Sequence, residues 1–437
     1  MYDKNIFDEL PIYRVIESLK NPTMMKLAEA SVTRADSLDM ESFALRLRKA
    51  IGRDGIPFST KIGTHPDFQN LKQGQSARAP TTSIFVDIKG STQLFEKYDY
   101  EKAFLMQDSI IQSAIYIIQA FDGHIVRIPG DGIFAVFGRQ DYSAENGMLD
   151  ALNAASTMLV VLETHLKTQF ESLGLNPLRI RVGIDFDEKA LWKHNGIEGC
   201  HELSPHGLHV SLAAKLQNKA HSNRIMIGDA VKTHLALSND AVSVKKYQED
   251  GEEKAERFVR SDYKMWEFDW EKHSENFSWI AKHTGQLFPA LPYGLNFTLA
   301  AAIIDENDTF VRKISSSMEV LEKGHSLFFS VVSPLPQNCK INWFVENHGD
   351  EASEADCLFY EIESGRNKLN VIRDTFYHGQ HFLICKVTFP SGKVVEKRVG
   401  VFISPKFVAT ERDVTGTLKQ RALPKASPHM ISYNKGI

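Results

Sequence analysis

The spacing of apolar residues changes near residue 290, and the change gives the chain two textures. Before that point, helix-spaced runs alternate with short apolar stretches; after it, apolar runs alternate residue by residue. Residues 39–51 (DMESFALRLRKAI) have helical spacing, and a stretch rich in Gly, Pro, Ser and Gln follows, so residues 1–75 read as a helical leader and linker. Residues 81–89 (TTSIFVDIK) predict a strand, and a helix is expected over about 92–121. A hairpin follows: 124–128, a Pro-Gly-Asp-Gly turn at 129–132, and 133–137. A helix over about 144–173, a strand over 178–184, a helix over 208–220 and a strand over 224–227 complete the series. The order β-α-β-β-α-β-α-β predicts an α/β (α+β) sandwich related to the ferredoxin-like motif.

Beyond residue 290 the expected strands are 326–332, 341–346, 381–389 and 394–404, with few helical segments between them. That pattern predicts a separate β-rich, sandwich-like domain over 290–408, with Trp343, Phe344, Phe359 and Tyr360 in its core. The polar segment 409–437 reads as a flexible tail. The first large domain is expected to span 76–275.

Composition narrows the possibilities. Of 437 residues, 43% are hydrophobic and 24% charged, with 51 Lys plus Arg against 55 Asp plus Glu. A formal net charge of −4 argues against a nucleic-acid-binding surface or a polybasic membrane anchor. No apolar run is long enough to span a bilayer, and the N-terminus has no signal-peptide pattern, so a cytoplasmic protein without direct membrane insertion is expected. The four cysteines, Cys200, Cys339, Cys357 and Cys385, have no metal-ligand spacing and read as free thiols.

Two aspartates carry the candidate chemistry. Asp87 closes the first strand and Asp131 sits in the hairpin turn. Carboxylates at strand and turn ends can converge on hard divalent cations, which favour one or two carboxylates plus substrate phosphates. Two such ions can stabilise the attacking and leaving oxygens of an in-line displacement. Each residue alone also suits a plain turn or strand-end role; the pair, in order, is what favours chemistry. His201, His206 and His209 read as loop and helix-start residues, because zinc sites use tighter patterns.

Four segments share a family pattern. Residues 85–92 (FVDIKGST) resemble the first metal motif of class III adenylate and guanylate cyclases, F-x-D-I-x-G-[FS]-T. Residues 123–132 (GHIVRIPGDG) resemble their second metal motif, 178–184 their next core strand, and 207–216 (GLHVSLAAKL) their G-x-x-V-N-x-A-A-R-L helix. The resemblance implies that Asp87, the Ile88 carbonyl and Asp131 bind two divalent cations, Mn²⁺ or Mg²⁺. It places Phe85 and the turn through Gly90, Ser91 and Thr92 against the triphosphate of a nucleoside triphosphate. It also implies a homodimer whose sites lie at the subunit interface, with metal residues from one chain and base-reading residues from the other.

The departures from the family pattern concern substrate. Arg127 stands where the family has a base-reading Lys, and Ser204 where it has an adenine-reading Asp; neither purine pattern fits. The family's transition-state Asn and Arg are Ser211 and Lys215 here. Lysine keeps the charge and loses the guanidinium fork. Together with residues 183–192 (GIDFDEKALW), this is similar to the bacterial pyrimidine cyclases of the Pycsar antiphage system. The 290–406 region looks like the AGS-C sensor domain. The implied reaction turns CTP, placed ahead of UTP, into a cyclic monophosphate that activates a separate effector. A divergent adenylate cyclase and an inactive nucleotide-binding sensor are the alternatives.

Overall fold

A computed structural model describes residues 45, 47–49, 51, 61–140, 142–249, 252–256, 263–274, 297–314, 319–332, 334–365, 368–407, 409–412 and 418–420. The rest of the N-terminal leader, including the remainder of the helix expected at 39–51, linker residues 52–60 and most of the tail lie outside them. Two compact units divide the chain, one of residues 1–234 with 239–288, the other of 235–238 with 289–437.

The first unit is built on one mixed sheet. Its strands are β1 (Ser76–Ile88), β2 (His124–Arg127), β3 (Gly132–Phe137), β4 (Ile180–Ile197), β5 (Cys200–His206), β6 (Arg224–Gly228) and β7 (Val242–Val244). A hairpin of β8 (Lys246–Glu249) and β9 (Glu252–Ala255) leads towards β10 (Met265–Phe268). The sheet order is β2-β3-β1-β4-β6-β10-β7, with β5 paired to β4. Every pairing in the sheet is antiparallel except β4 with β6. β1 is therefore central, and its Ile84, Val86 and Ile88 are buried.

The helix expected over 92–121 is two helices, α1 (Ser91–Lys97) and α2 (Tyr100–Ala120). Asp99 breaks them apart by capping α2: its carboxylate accepts from the Lys102 N–H at 2.9 Å. The 144–173 segment begins as α3 (Ala144–Val161), passes through a π turn at Leu162–Leu166 and ends as α4 (Lys167–Ser172). The largest departure is β4, which runs to Ile197 and folds back as β5. This arm escaped the sequence reading because its outer half is polar and mixes exposed and half-buried positions. Its one large apolar anchor is Trp192, buried, with its indole N–H donating to Thr81 Oγ1 at 2.9 Å.

The last helix of the site is α5 (Leu208–Lys219). Gly183 explains how closely it sits on β4. A Cβ there would fall 2.2 Å from both the Ala213 carbonyl oxygen and the Gln217 nitrogen, so any side chain would push the helix off the sheet.

The second unit is a β-sandwich. One sheet orders as β12 (Phe310–Lys313), β11 (Leu299–Ile304), β14 (Ser326–Val331) and β17 (Asn370–Asp374). The other orders as β13 (Glu319–Lys323), β19 (Val394–Phe407), β18 (Gly379–Thr388), β15 (Lys340–Asn347) and β16 (Phe359–Gly365). Leu327, Phe329 and Val371 from the first meet Trp343, Cys385 and Val401 from the second in one core. Strand alternation corrects part of the aromatic reading. Trp343 is fully buried and Tyr360 packs against that core, whereas Phe344 and Phe359 stack on each other outside it, and Phe359 is exposed. A short ribbon, β20 (Ala409–Arg412) with β21 (Leu418–Gln420), falls in the segment expected to be a tail.

Buried imidazoles make the fold sensitive to acid. Burial lowers His65 to about 3, His124 to about 4 and His273 to about 3 in the first unit, and His381 to about 4 in the second. A free histidine titrates near ~6.5. Between ~6.5 and ~4 the unfolded chain binds protons that the folded chain refuses, so stability is lost as pH falls through that window. Melting at about pH 5 is expected to occur at least ~5 °C below melting at about pH 7.5. Equal midpoints would show that these imidazoles are not held neutral.

Candidate active site

Asp87 has Gly132 as its register partner on β3 and Arg181 as its partner on β4. Asp131 immediately precedes Gly132, so the two aspartates stand on adjoining strand ends, one residue apart in register. Gly132 makes this closeness possible: a Cβ there would sit 2.8 Å from the Val86 carbonyl oxygen. The Asp87 carboxylate is half-exposed and accepts from the Arg181 guanidinium and, at 3.1 Å, from the Gln217 amide of α5. Ile88 is buried beside it, and Phe85 stacks on Phe134 with ring centroids 4.3 Å apart. The strand ends at Ile88, and Gly90, with a φ of +77°, turns the chain into α1 at Ser91 and Thr92.

The donor set suits a hard divalent cation. An ion shared by Asp87, Asp131 and the Ile88 carbonyl would meet oxygen only. Among the described residues no three His, Cys, Asp or Glu side chains cluster as a closed metal cage. An ion here would take its remaining oxygens from elsewhere, as Mg²⁺-type sites do with substrate phosphates.

Helix α5 is pinned at both ends. Near its start, His209 Nδ1 lies 3.0 Å from the carboxylate of Asp185, which also accepts from the Tyr263 hydroxyl at 2.6 Å and the Phe186 N–H at 2.9 Å. Asp185 is fully buried, and burial raises its pKa. Near the helix end, Gln217 meets Asp87. The face so buried carries Val210, Leu212, Ala213, Leu216 and Gln217. Ser211 and Lys215, one turn apart on the opposite face, are exposed. Within one chain, the structure does not turn them towards the Asp87 side of the helix.

Arg127 and Ser204 belong to a second group. Arg127 leaves the end of β2 and pairs with Glu202 of β5. Glu202, Ser204 and His206 share one face of β5, and the register with β4 adds Lys193 and Asn195 to it. Ser204 is buried, only 2% exposed, and its hydroxyl accepts from Asn195 Nδ2 at 2.9 Å. The same Nδ2 donates to His206 Nε2. His201 is elsewhere, with Nδ1 3.0 Å from that of His194.

Sequence reasoning did not find Arg181, Gln217, Asn195 or Glu202. Arg181 lies in a segment already matched to the family, but only strand register reveals that it faces Asp87. Gln217 lies 130 positions from Asp87, and a single glycine, Gly183, was the available sign that α5 sits flush on the sheet.

Residues 75–262 match the family described as the adenylate and guanylate cyclase catalytic domain. Residues 269–404 match the adenylyl/guanylyl and SMODS C-terminal sensor domain. A solved structure, the adenylyl cyclase CyaB from P. aeruginosa, is similar at a TM-score of 0.39 and 21% identity, over 45% of this chain and 96% of that one. The matched catalytic domain, with its paired strand-end aspartates, makes this chain a class III nucleotide cyclase joined to a C-terminal sensor domain.

A cytidylate cyclase of Staphylococcus aureus is 33% identical over 405 residues, which is 86% of this chain and 95% of the relative. A cytidylate cyclase of Escherichia coli is 31% identical over 385 residues, 81% of this chain and 80% of the relative. The chain belongs to the family of these cytidylate cyclases. Catalytic domains of this class use divalent metal ions and work as dimers on a nucleotide. No helix among the described residues is long and apolar enough to cross a membrane.

Proposed function

We propose that the protein converts CTP to 3′,5′-cyclic CMP and diphosphate. The observation that carries this reading is the strand register that sets Asp87 beside the Asp131–Gly132 turn, in a chain similar over most of its length to cytidylate cyclases. In the reaction the substrate's 3′-oxygen forms a bond to the α-phosphorus. The bond from that phosphorus to the bridging oxygen breaks, diphosphate leaves with the electron pair, and the 3′-hydroxyl proton passes to solvent.

Asp87, the Ile88 carbonyl and Asp131 would hold the divalent cations, two Mn²⁺ or Mg²⁺. Bound there, such ions neutralise the triphosphate and favour ionisation of the 3′-hydroxyl. Arg181 and Gln217 keep the Asp87 carboxylate oriented while the site is loaded. Phe85 and the Gly90–Ser91–Thr92 turn form the adjoining wall for the triphosphate. Ser211 and Lys215, exposed on α5, complete the site of a second protomer, where Lys215 would meet charge developing on the phosphates. Arg127 supplies hydrogen-bond donors to the base. The cyclic product would serve antiphage defence by activating a separate effector.

The test is product analysis. Purified full-length protein with Mn²⁺ and each of the four ribonucleoside triphosphates is expected to yield cyclic CMP as the main product. Cyclic AMP or cyclic GMP as the main product would refute the pyrimidine assignment.

A further inference from the structure

We infer that Asn195, on the β4 arm, is the residue that selects cytosine over uracil, with the buried Ser204 behind it and the exposed His206 beside it as positioning residues. The inference rests on the proposed cytidylate cyclase reading and deepens it.

The argument starts from hydrogen-bond direction. Asn195 is half-exposed and lies in front of the buried Ser204. Its Nδ2 donates to Ser204 Oγ at 2.9 Å and to His206 Nε2. An amide nitrogen has two hydrogens, and both are used by these two bonds. The carboxamide sits with its nitrogen on Ser204 and His206 and its Oδ1 turned away from both. Accepting at Nε2 requires His206 to be the Nδ1–H neutral tautomer, and burial lowers its pKa, which favours the neutral ring. Among the described residues, no donor meets Oδ1.

The same face carries the Arg127–Glu202 pair. The ion pair holds Arg127 at β5, where its guanidinium can offer only donors. Beside the Glu202 carboxylate that pairs with Arg127, and the exposed Lys193, a base edge that spans Asn195 and Arg127 finds an acceptor, Oδ1, next to a donor group. Cytosine matches in that order: its 4-amino group donates and its N3 and O2 accept. Uracil mismatches at two adjacent atoms, since O4 would face Oδ1 and N3–H would face the guanidinium. A polar site rejects such a mismatch because its own groups are left unpaired. Ser204, 2% exposed, acts through Asn195.

The test is a cycle between enzyme and substrate, run on the full-length protein with Mn²⁺. Wild type and Asn195→Ala are assayed with CTP, UTP and the triphosphate of pyrimidin-2-one riboside, which lacks the 4-amino group. Wild type should prefer CTP to the pyrimidin-2-one analogue by about ten- to a hundredfold in kcat/KM. Asn195→Ala should lose that preference, treating the two substrates alike to within about twofold, and its CTP-to-UTP ratio should fall by at least about tenfold. The assay on wild type with the analogue gives the answer even if the variant folds poorly. An Asn195→Ala protein that keeps the wild-type CTP-to-UTP ratio, or a wild type indifferent to the missing amino group, overturns the assignment alone. A wild type that leaves CTP intact overturns it together with the proposed function.

Discussion

Asp131→Ala is expected to lower cyclic CMP formation by at least about a thousandfold while leaving the melting temperature within a few degrees of wild type. The size follows from what the residue would hold. A catalytic ion at this site offsets charge on both sides of an in-line displacement, and loss of even one preorganised electrostatic contact commonly costs about a hundred- to a thousandfold. Asp131 is half-exposed in the hairpin turn, and the side chain is not part of the buried core, so truncation should spare the fold. Asp87→Ala should lose as much activity but is a less clean test. It strips Arg181 and Gln217 of their shared partner, and Gln217 is a buried group that holds α5 on the sheet. The two effects separate by titrating Mn²⁺ in the absence of nucleotide, followed by electron paramagnetic resonance. Asp131→Ala should weaken ion binding with an unchanged melting curve. Retention of more than about a tenth of wild-type turnover would exclude a metal-holding role for Asp131.

How much of this was legible beforehand differs by element. Short apolar runs bounded by glycine and proline made β1, β2 and β3 readable, because local pattern and tertiary role agree there. Asp87 and Asp131 were found as a pair because both motifs are contiguous in sequence. The β4–β5 arm was not found. Its outer part presents a polar face, so the period-2 signal that marks a half-buried strand is weak where Lys193, Asn195, Glu202, Ser204 and His206 stand side by side. The single helix expected over 92–121 failed at Asp99, where a good N-cap outweighed continuous helical spacing. Substrate discrimination was illegible for a further reason. Arg127 and Ser204 each appeared as lone substitutions, and the meaning of Ser204 changes once Asn195 is seen to cover it. Register and burial are long-range quantities, and composition does not encode them.

The orientation of α5 leads to the remaining prediction, which concerns assembly. Gln217 faces Asp87 while Ser211 and Lys215 face outward, so one chain cannot turn both faces of the same helix onto one substrate. In a head-to-tail homodimer each site would take Asp87 and Asp131 from one protomer and Lys215 from the other. Asp87→Ala and Lys215→Ala proteins should each be nearly inactive alone, the second by roughly a hundredfold. Mixed in equal amounts under conditions that allow exchange of protomers, half of the dimers become mixed. Each mixed dimer has one site with both defects and one with neither, so activity should recover to about a quarter of wild type. No recovery, with mixed dimers shown to form by native mass spectrometry, would mean that aspartates and lysine act within one chain. Recovery well above a quarter would mean that Lys215 contributes little.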